Sequence, residues 1–375
     1  MQILKILIPN FLIYFYRRIP WHSFGSFWIK NKSILNLDNE LIKMIDFFIK
    51  SESYKSVSHF WHLLNIRHLK FLGKESIKNY STSVARSYYT FLDINENHID
   101  KSMKKIGNVI SCEKVNLFKK QNNLSYKESF IYNNLIYLLW YNLKEKKIFK
   151  NFEKLSDVGY LSYGDPYIDI NDKKVTLDKI NSLLDYENIN NFTDFSDKKT
   201  ILEIGAGSGR TTEAILTFND ELKYTICDIP PALFISYKRL SNVFKEKSIG
   251  LLYNLNEQEL NSQINNYDIS FIMPHQLNFI KNKKFDLSIA IDCIHEMRKR
   301  DIAKLFNNIS TISNYFYFSV WKESFVRFSP IGELFGTSNL NYFSGDYKIP
   351  KSWIKEYEKD LIFPSNFISV GFKIK

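Results

Sequence analysis

The chain has 375 residues with 51 Lys and Arg against 40 Asp and Glu, a net charge of +11, and it is 45% hydrophobic and 16% aromatic. These proportions are ordinary for a soluble globular protein with room for two or three domains and a substantial core. Only nine of the 51 basic residues are arginine, and the many lysines sit among Asn, Ile, Phe and Tyr, as an AT-rich genome would encode. The charge is therefore a weak sign of nucleic-acid binding. Three widely spaced cysteines, Cys112, Cys227 and Cys293, form no CxxC pair. That excludes a disulfide framework or a zinc knuckle and fits a reducing, cytoplasmic setting.

In chain order, residues 1–16 are apolar but interrupted by Lys5 and Pro9, and Arg17 and Arg18 follow. The stretch is too short to span a bilayer and lacks a small-residue cleavage site. Two readings of segment 1–18 fit: an interfacial segment touching the inner membrane, or one that packs on the protein or on a second subunit. From residue 39 to 150 apolar residues recur at helical spacing, as in Leu41, Met44, Ile45 and Phe48, or Ile131, Leu135, Leu138 and Leu139. Residues 1–150 thus read as a helical N-terminal domain. Residues 151–198, with Gly159, Gly164, Asp165-Pro166 and Asn/Asp clusters, read as a turn-rich connector able to cover a ligand site.

From residue 199 to the end, strands alternate with helices. Strands are expected at 200–204, 224–227, 269–273, 285–291 and 315–320, and helices at 211–217, 232–244 and 301–312. The tail 363–375 is expected to add an antiparallel edge. This is an α/β pattern, a mostly parallel sheet with helices on both faces.

The first of these strands runs into Glu203-Ile-Gly205-Ala206-Gly207-Ser-Gly209 and then a helix. Glycines here permit a tight turn and close approach of backbone N–H groups to a ligand, and the helix N-terminus favours a carboxylate or phosphate. Arg210 stands where a dinucleotide fingerprint wants Gly or Ala, and there is no GxxxxGK[ST] phosphate loop. Asp228 ends the second strand, where a carboxylate can accept both ribose hydroxyls of a nucleoside. Ile229 follows it. Asp292, His295 and Glu296 follow the fourth strand, at the rim where open α/β sheets bind ligands. A histidine with a pKa near neutrality suits proton removal, so His295 is the candidate base, with Asp292 or Glu296 orienting it or its substrate. Lys299 occupies the position of the second histidine of HExxH, which removes that zinc motif. The run Arg298-Lys299-Arg300 has two readings, an anion-attracting patch or a solvated helix face.

The ExGxGxG loop resembles motif I of class I S-adenosylmethionine-dependent methyltransferases, which have a Rossmann-like fold. Many of these carry an acidic residue after the third strand to meet adenine; this chain has Met273-Pro-His275-Gln276 there, leaving His275 and Gln276 as candidate contacts. No [DN]PP[YF] follows the fourth strand, unlike in amino-methyltransferases. With Asp228-Ile-Pro-Pro-Ala-Leu233, His295-Glu-Met297, Gly164-Asp-Pro166, Val175-Thr-Leu-Asp178 and Tyr347-Lys-Ile-Pro-Lys-Ser-Trp353, residues from about 151 onward resemble the sugar O-methyltransferases of bacterial surface-polysaccharide gene clusters. The resemblance implies S-adenosyl-L-methionine as cofactor and a sugar hydroxyl, free, nucleotide-linked or lipid-linked, as acceptor. It places Glu203, Gly205, Gly207, Gly209 and Asp228 at the cofactor, joined in the candidate set by Ala206, Ile229, His275 and Gln276. It places His295 and Glu296 at the active-site rim. Another small hydroxylated metabolite, an RNA substrate and a non-catalytic scaffold remain as alternatives.

Overall fold

The computed structural model describes residues 36–74, 77, 114–122, 124–161, 165–282, 284–323, 340–361 and 366–375. Segment 1–18, Cys112 and Gly164 lie outside the described residues. So does most of 75–113, where further helix was expected. No helix among the described residues is long and apolar enough to cross a membrane.

An eight-stranded sheet organises the chain. Its strands are β3 (Thr200–Ile204), β4 (Lys223–Cys227), β5 (Ile249–Leu251), β6 (Ile269–Ile272), β7 (Phe285–Ile291), β8 (Ser313–Trp321), β9 (Trp353–Asp360) and β10 (Phe367–Ile374). A separate hairpin, β1 (Tyr167–Ile170) and β2 (Lys173–Thr176), precedes it. The order across the sheet is β5-β6-β4-β3-β7-β8-β10-β9. The first six strands are mutually parallel, and β10 runs antiparallel to both neighbours. β3 and β7 read as near-continuous apolar runs because helices cover both faces of a parallel sheet. The chain winds outward from β3 to β4 and β6, then returns to lay β7 on the other side of β3. This is the Rossmann-like α/β arrangement, and it opens a crevice at the carboxyl ends of β3 and β7.

The last strand departs from the expectation. β10 is buried at seven of its eight positions and lies inside the sheet; β9 forms the edge. FISVGFKI is apolar on both faces and needs cover on each side. The Lys355, Glu356, Glu358 and Lys359 of β9 suit an exposed edge and discourage further pairing. The short β5, β9 and helix α8 (Glu257–Gln263) went unread in the sequence.

Helix α1 (Asn39–Lys50) is capped by Asp38, whose carboxylate accepts the Glu40 N–H at 2.8 Å. Its Leu41, Met44, Ile45 and Phe48 are fully buried and share one apolar cluster with Ile201, Ile226 and Leu287 of the sheet. Helix α2 (His59–Lys74) follows, then α3 (Tyr126–Lys144), which a Ser125/Glu128 capping box starts. α3 packs with the β1–β2 hairpin and α5 (Leu177–Phe192) into a second cluster built on Leu135, Leu139, Trp140 and Ile180. The stretch 151–198 is thus more regular than its turn-rich sequence suggested. It holds the short helix α4 (Asp157–Leu161), the hairpin and the 16-residue α5. Thr176 caps α5, where its hydroxyl accepts the Lys179 N–H at 3.0 Å.

A buried ion pair ties the two helices flanking β4, α6 (Arg210–Phe218) and α7 (Pro230–Val243). The Arg239 guanidinium donates to the Glu213 carboxylate at 3.0 Å with both side chains essentially inaccessible, and also to the Ser208 hydroxyl at 3.2 Å. Burial pushes the Glu213 carboxyl above the usual carboxylate range despite Arg239. Arg239→Met is expected to cost about 3–5 kcal/mol in urea unfolding, since it leaves an uncompensated buried carboxyl. The loss should be greater at pH 8 than at pH 5, because an acid whose folded pKa is raised destabilises increasingly as pH rises above its unfolded value. Arg239→Met combined with Glu213→Leu should recover most of it. An equal loss in the double variant would assign the effect to packing alone.

Candidate active site

The loop after β3 is held in a form that only glycine tolerates well. Gly205, Gly207 and Gly209 have φ of +70°, +58° and +78°. A Cβ on Gly205 would lie 2.5 Å from the Cβ of Cys293, so the β3 loop and the β7 rim touch backbone to side chain. The Cys293 thiol completes that junction by donating to the Ile204 carbonyl at 3.1 Å. A Cβ on Gly207 would meet no protein atom within 4 Å, which leaves open space above the loop. Gly209 is the N-cap of α6.

Asp228, at the end of β4, folds over this loop. Its Oδ2 accepts the Gly207 N–H at 2.9 Å and its Oδ1 accepts the Ile229 N–H at 2.7 Å. Burial raises its pKa to about 7, although both N–H groups favour the carboxylate. Asp228 lines a cavity of about 620 Å³ together with Gly205, Ala206, Gly207, Ile229, His275, Asp292, His295 and Glu296. Nine of the twelve sequence candidates are in or beside that cavity.

The other three are not. Glu203 is buried among α6 and β4, where its Oε2 accepts from the Thr212 hydroxyl at 2.6 Å and the Tyr224 hydroxyl at 2.7 Å. Burial holds its pKa above the usual range. It anchors the loop from behind. Gly209 likewise shapes the helix start without lining the cavity. Gln276 is fully buried; its amide donates to the Leu252 and Leu255 carbonyls at 2.8 and 3.2 Å and its Oε1 accepts the Met273 N–H at 2.9 Å. These side chains are spent on protein partners, because a buried polar group must find one. Of the two candidates after β6, His275 is the one at the cavity. It sits between Phe47 and Phe279, each with ring centroids 5.6 Å away, and burial lowers its pKa to about 4.

The segment after β7 supplies the acid–base groups. Asp292 has a φ of +56°, a strained value for a residue with a Cβ. Its Oδ1 accepts from the Ser319 hydroxyl at 3.2 Å, and its Oδ2 lies 3.9 Å from the Arg210 guanidinium. Arg210 in turn donates to Asp185 of α5 at 2.6 Å, so the residue that broke the dinucleotide fingerprint joins α5, α6 and the β7 rim. The Asp292 side chain is 42% exposed, and its partial burial raises its pKa against the pull of Arg210. His295 is 5% exposed, edge-on to Phe367 and Trp321, with Nδ1 unpartnered among the described residues. Burial lowers its pKa to about 3. Glu296 accepts the Trp61 indole N–H at 2.8 Å, and burial lifts its pKa to about 8. The lowered His295 pKa runs against the sequence expectation of an imidazole titrating near neutrality, because burial disfavours its charged form. Of the three groups, Asp292 and Glu296 are the ones whose pKa values lie near neutrality, where proton transfer is most effective.

Several lining residues were not among the candidate site residues, although the connector that holds four of them was expected to cover a ligand site. Trp61 and Leu64 of α2, the 51–58 strap, and Asp165, Leu177, Asp178 and Asn181 all face the same space. Nothing in their local pattern differs from an amphipathic helix or a turn. No group of three or more His, Cys, Asp or Glu able to hold a metal exists among the described residues.

No family model and no curated protein matches the chain. Among solved structures, the chain is similar to the pyocyanin biosynthetic protein PhzM, at 14% identity over 66% of this chain and 72% of that one, with a TM-score of 0.37. It is also similar to a SAM-dependent methyltransferase from Aquifex aeolicus, at 11% identity over 51% of this chain and 89% of that one, TM-score 0.34. A third is the glycopeptide N-methyltransferase MtfA complexed with sinefungin, at 12% identity over 50% and 85%, TM-score 0.34.

The two cavity glycines should respond differently to a methyl group. Gly207→Ala faces only the left-handed backbone cost of roughly 1–2 kcal/mol. Gly205→Ala adds the collision with Cys293, a further cost of about 1–3 kcal/mol typical of overpacking. Denaturant midpoints measure the difference. Equal losses would show that the β3 loop can move away from Cys293.

Proposed function

We propose that the protein is an S-adenosylmethionine-dependent O-methyltransferase acting on a sugar hydroxyl, with its acceptor free, nucleotide-linked or lipid-linked. The observation that carries the reading is one cavity lined at once by the glycine loop, by Asp228 and by His295 with Glu296. The residues fit the cofactor. The open space over Gly207 admits a ligand against the backbone, and the N-terminus of α6 favours an amino-acid carboxylate there. Asp228 offers acceptors for two ribose hydroxyls, and His275 and Ile229 offer flat or apolar contact for a base. Bound in this place, the cofactor supplies an electrophilic methyl group.

The chain's own residues would prepare the acceptor. His295, neutral across the physiological range, lines the cavity and relays the proton of an incoming hydroxyl to the carboxylates beside it, whose pKa values of about 7 and 8 make them the stronger bases. Asp292 and Glu296 stand on the same rim as the next proton acceptors. Trp61 and the 51–58 strap exclude water from one side, and Asp165 and Asp178 of the connector do so from another, the role of a lid. The polysaccharide context, with a cytoplasmic enzyme or one peripheral to the inner membrane, follows from the family resemblance.

Calorimetry should find binding of adenosylmethionine and adenosylhomocysteine and no binding of NAD; failure of both of the former to bind would sink the proposal. Adenosylhomocysteine affinity should rise with pH through about 7, because ribose hydroxyls donate best to an ionised Asp228. Asp228→Asn should flatten that dependence. His295→Gln should keep cofactor affinity and lower turnover of labelled glycan or sugar-nucleotide acceptors by roughly 10²–10⁴-fold, the usual worth of a general base. Unchanged turnover would remove His295 from that role.

A further inference from the structure

The basic run 298–300 is divided by the fold. Lys299 points to Asp346, bonded at 2.6 Å, and takes no part in the cavity. Arg298 and Arg300 do line it, and Lys304, one turn beyond Arg300 on α9 (Lys299–Ile312), lines it with them. Lys55 faces them from the strap, whose carbonyl accepts from the Arg298 guanidinium at 2.7 Å. Seven carboxylates among the described residues also line the cavity, and two of them, Asp301 and Glu52, pair with cations of this patch. Asp301 pairs with Arg298 and lies 3.8 Å from Arg300, and Glu52 pairs with Lys55. Lys304 makes no ion pair among the described residues.

A solvated helix face would account for Arg300, whose side chain is 71% exposed, and for Lys304. It does not account for where they stand. α9 begins at the cavity with no side chain capping its first N–H groups, so its positive dipole end meets the same space. The His295 imidazole lines that space too, in a residue 5% exposed. An acceptor whose hydroxyl meets the imidazole has the first turn of α9 and its cations within the same cavity.

We propose that the acceptor carries a phosphate or diphosphate, which Arg300 and Lys304 hold at the N-terminal turn of α9 while its hydroxyl is presented to His295. This rests on reading the cavity as the acceptor site and narrows that acceptor to a phosphorylated small molecule. A cavity of about 620 Å³ is in the range for small ligands. Guanidinium and ammonium groups at an uncapped helix start form the charge-assisted bonds that phosphate oxygens accept.

The test is a calorimetric titration of the full chain with inorganic pyrophosphate, without and with saturating adenosylhomocysteine. Wild-type protein should bind pyrophosphate. Arg300→Gln combined with Lys304→Gln, both at exposed positions, should weaken it by at least about tenfold, as loss of two charged hydrogen bonds requires. Lys299→Gln should leave it unchanged. Adenosylhomocysteine affinity should stay the same in every variant. No pyrophosphate binding in the wild type, equal weakening in Lys299→Gln, or full affinity in the double variant would overturn the proposal. So would a single-stranded RNA oligomer that displaces pyrophosphate with a steep salt dependence, which would assign the patch to a polynucleotide. Pyrophosphate binding that depends on Arg300 and Lys304 without adenosylhomocysteine binding would overturn the cofactor reading and not this one.

Discussion

The contact between Gly205 and Cys293 sets the geometry of the cavity. A Cβ at position 205 would overlap the Cys293 side chain, so the loop after β3 and the rim after β7 can meet only because one has no side chain. The parallel sheet makes this meeting necessary. β3 and β7 are neighbours whose connections leave in opposite directions, and the crevice between those departures is where a ligand enters. Asp228 closes the loop from the β4 side through the Gly207 N–H, and Glu203 fixes it from beneath. The glycine loop and the rim after β7 are thereby held at one distance.

Charge is distributed around that junction in two ways. Away from the cavity, the buried Arg239 is paired with Glu213, and at its margin Arg210 is paired with Asp185. At the cavity, the polar groups are enclosed with less compensation. Burial raises Asp228, Asp292 and Glu296 toward neutrality and lowers His295 and His275 below it. Folding bears that cost where a ligand would offset it, and groups pushed apart in this way are the usual mark of a functional site.

Much of the sheet was legible because its strands are short apolar runs closed by glycine, aspartate or proline. The boundaries expected for β3 and β7 match the structure, and those of β4, β6 and β8 differ by at most two residues at either end. β5 and β9 were not legible. One has three residues, and the other is so charged that only its pairing with β10 makes it a strand. The hairpin and α5 within 151–198 were hidden by Asn and Asp residues that resemble turns but lie on or at the ends of regular elements. Tertiary packing overrode local propensity there.

The candidate site divides along the same line. Sequence alone determined the glycine loop, the carboxylate after β4 and the histidine after β7, because each depends on backbone conformation or on a fixed place after a strand. It also determined the absence of a Walker lysine and of an HExxH pair. Tertiary structure decided which polar side chains face the cavity. Glu203 and Gln276 turn to protein partners, and His275 takes the place at the cavity. Trp61, 235 residues before Glu296 in the chain, reaches it, and Arg300 and Lys304 are separated from Lys299. Spacing along the chain specifies the backbone a residue stands on. Burial and hydrogen-bond satisfaction, which act between distant segments, choose the direction in which its side chain is used.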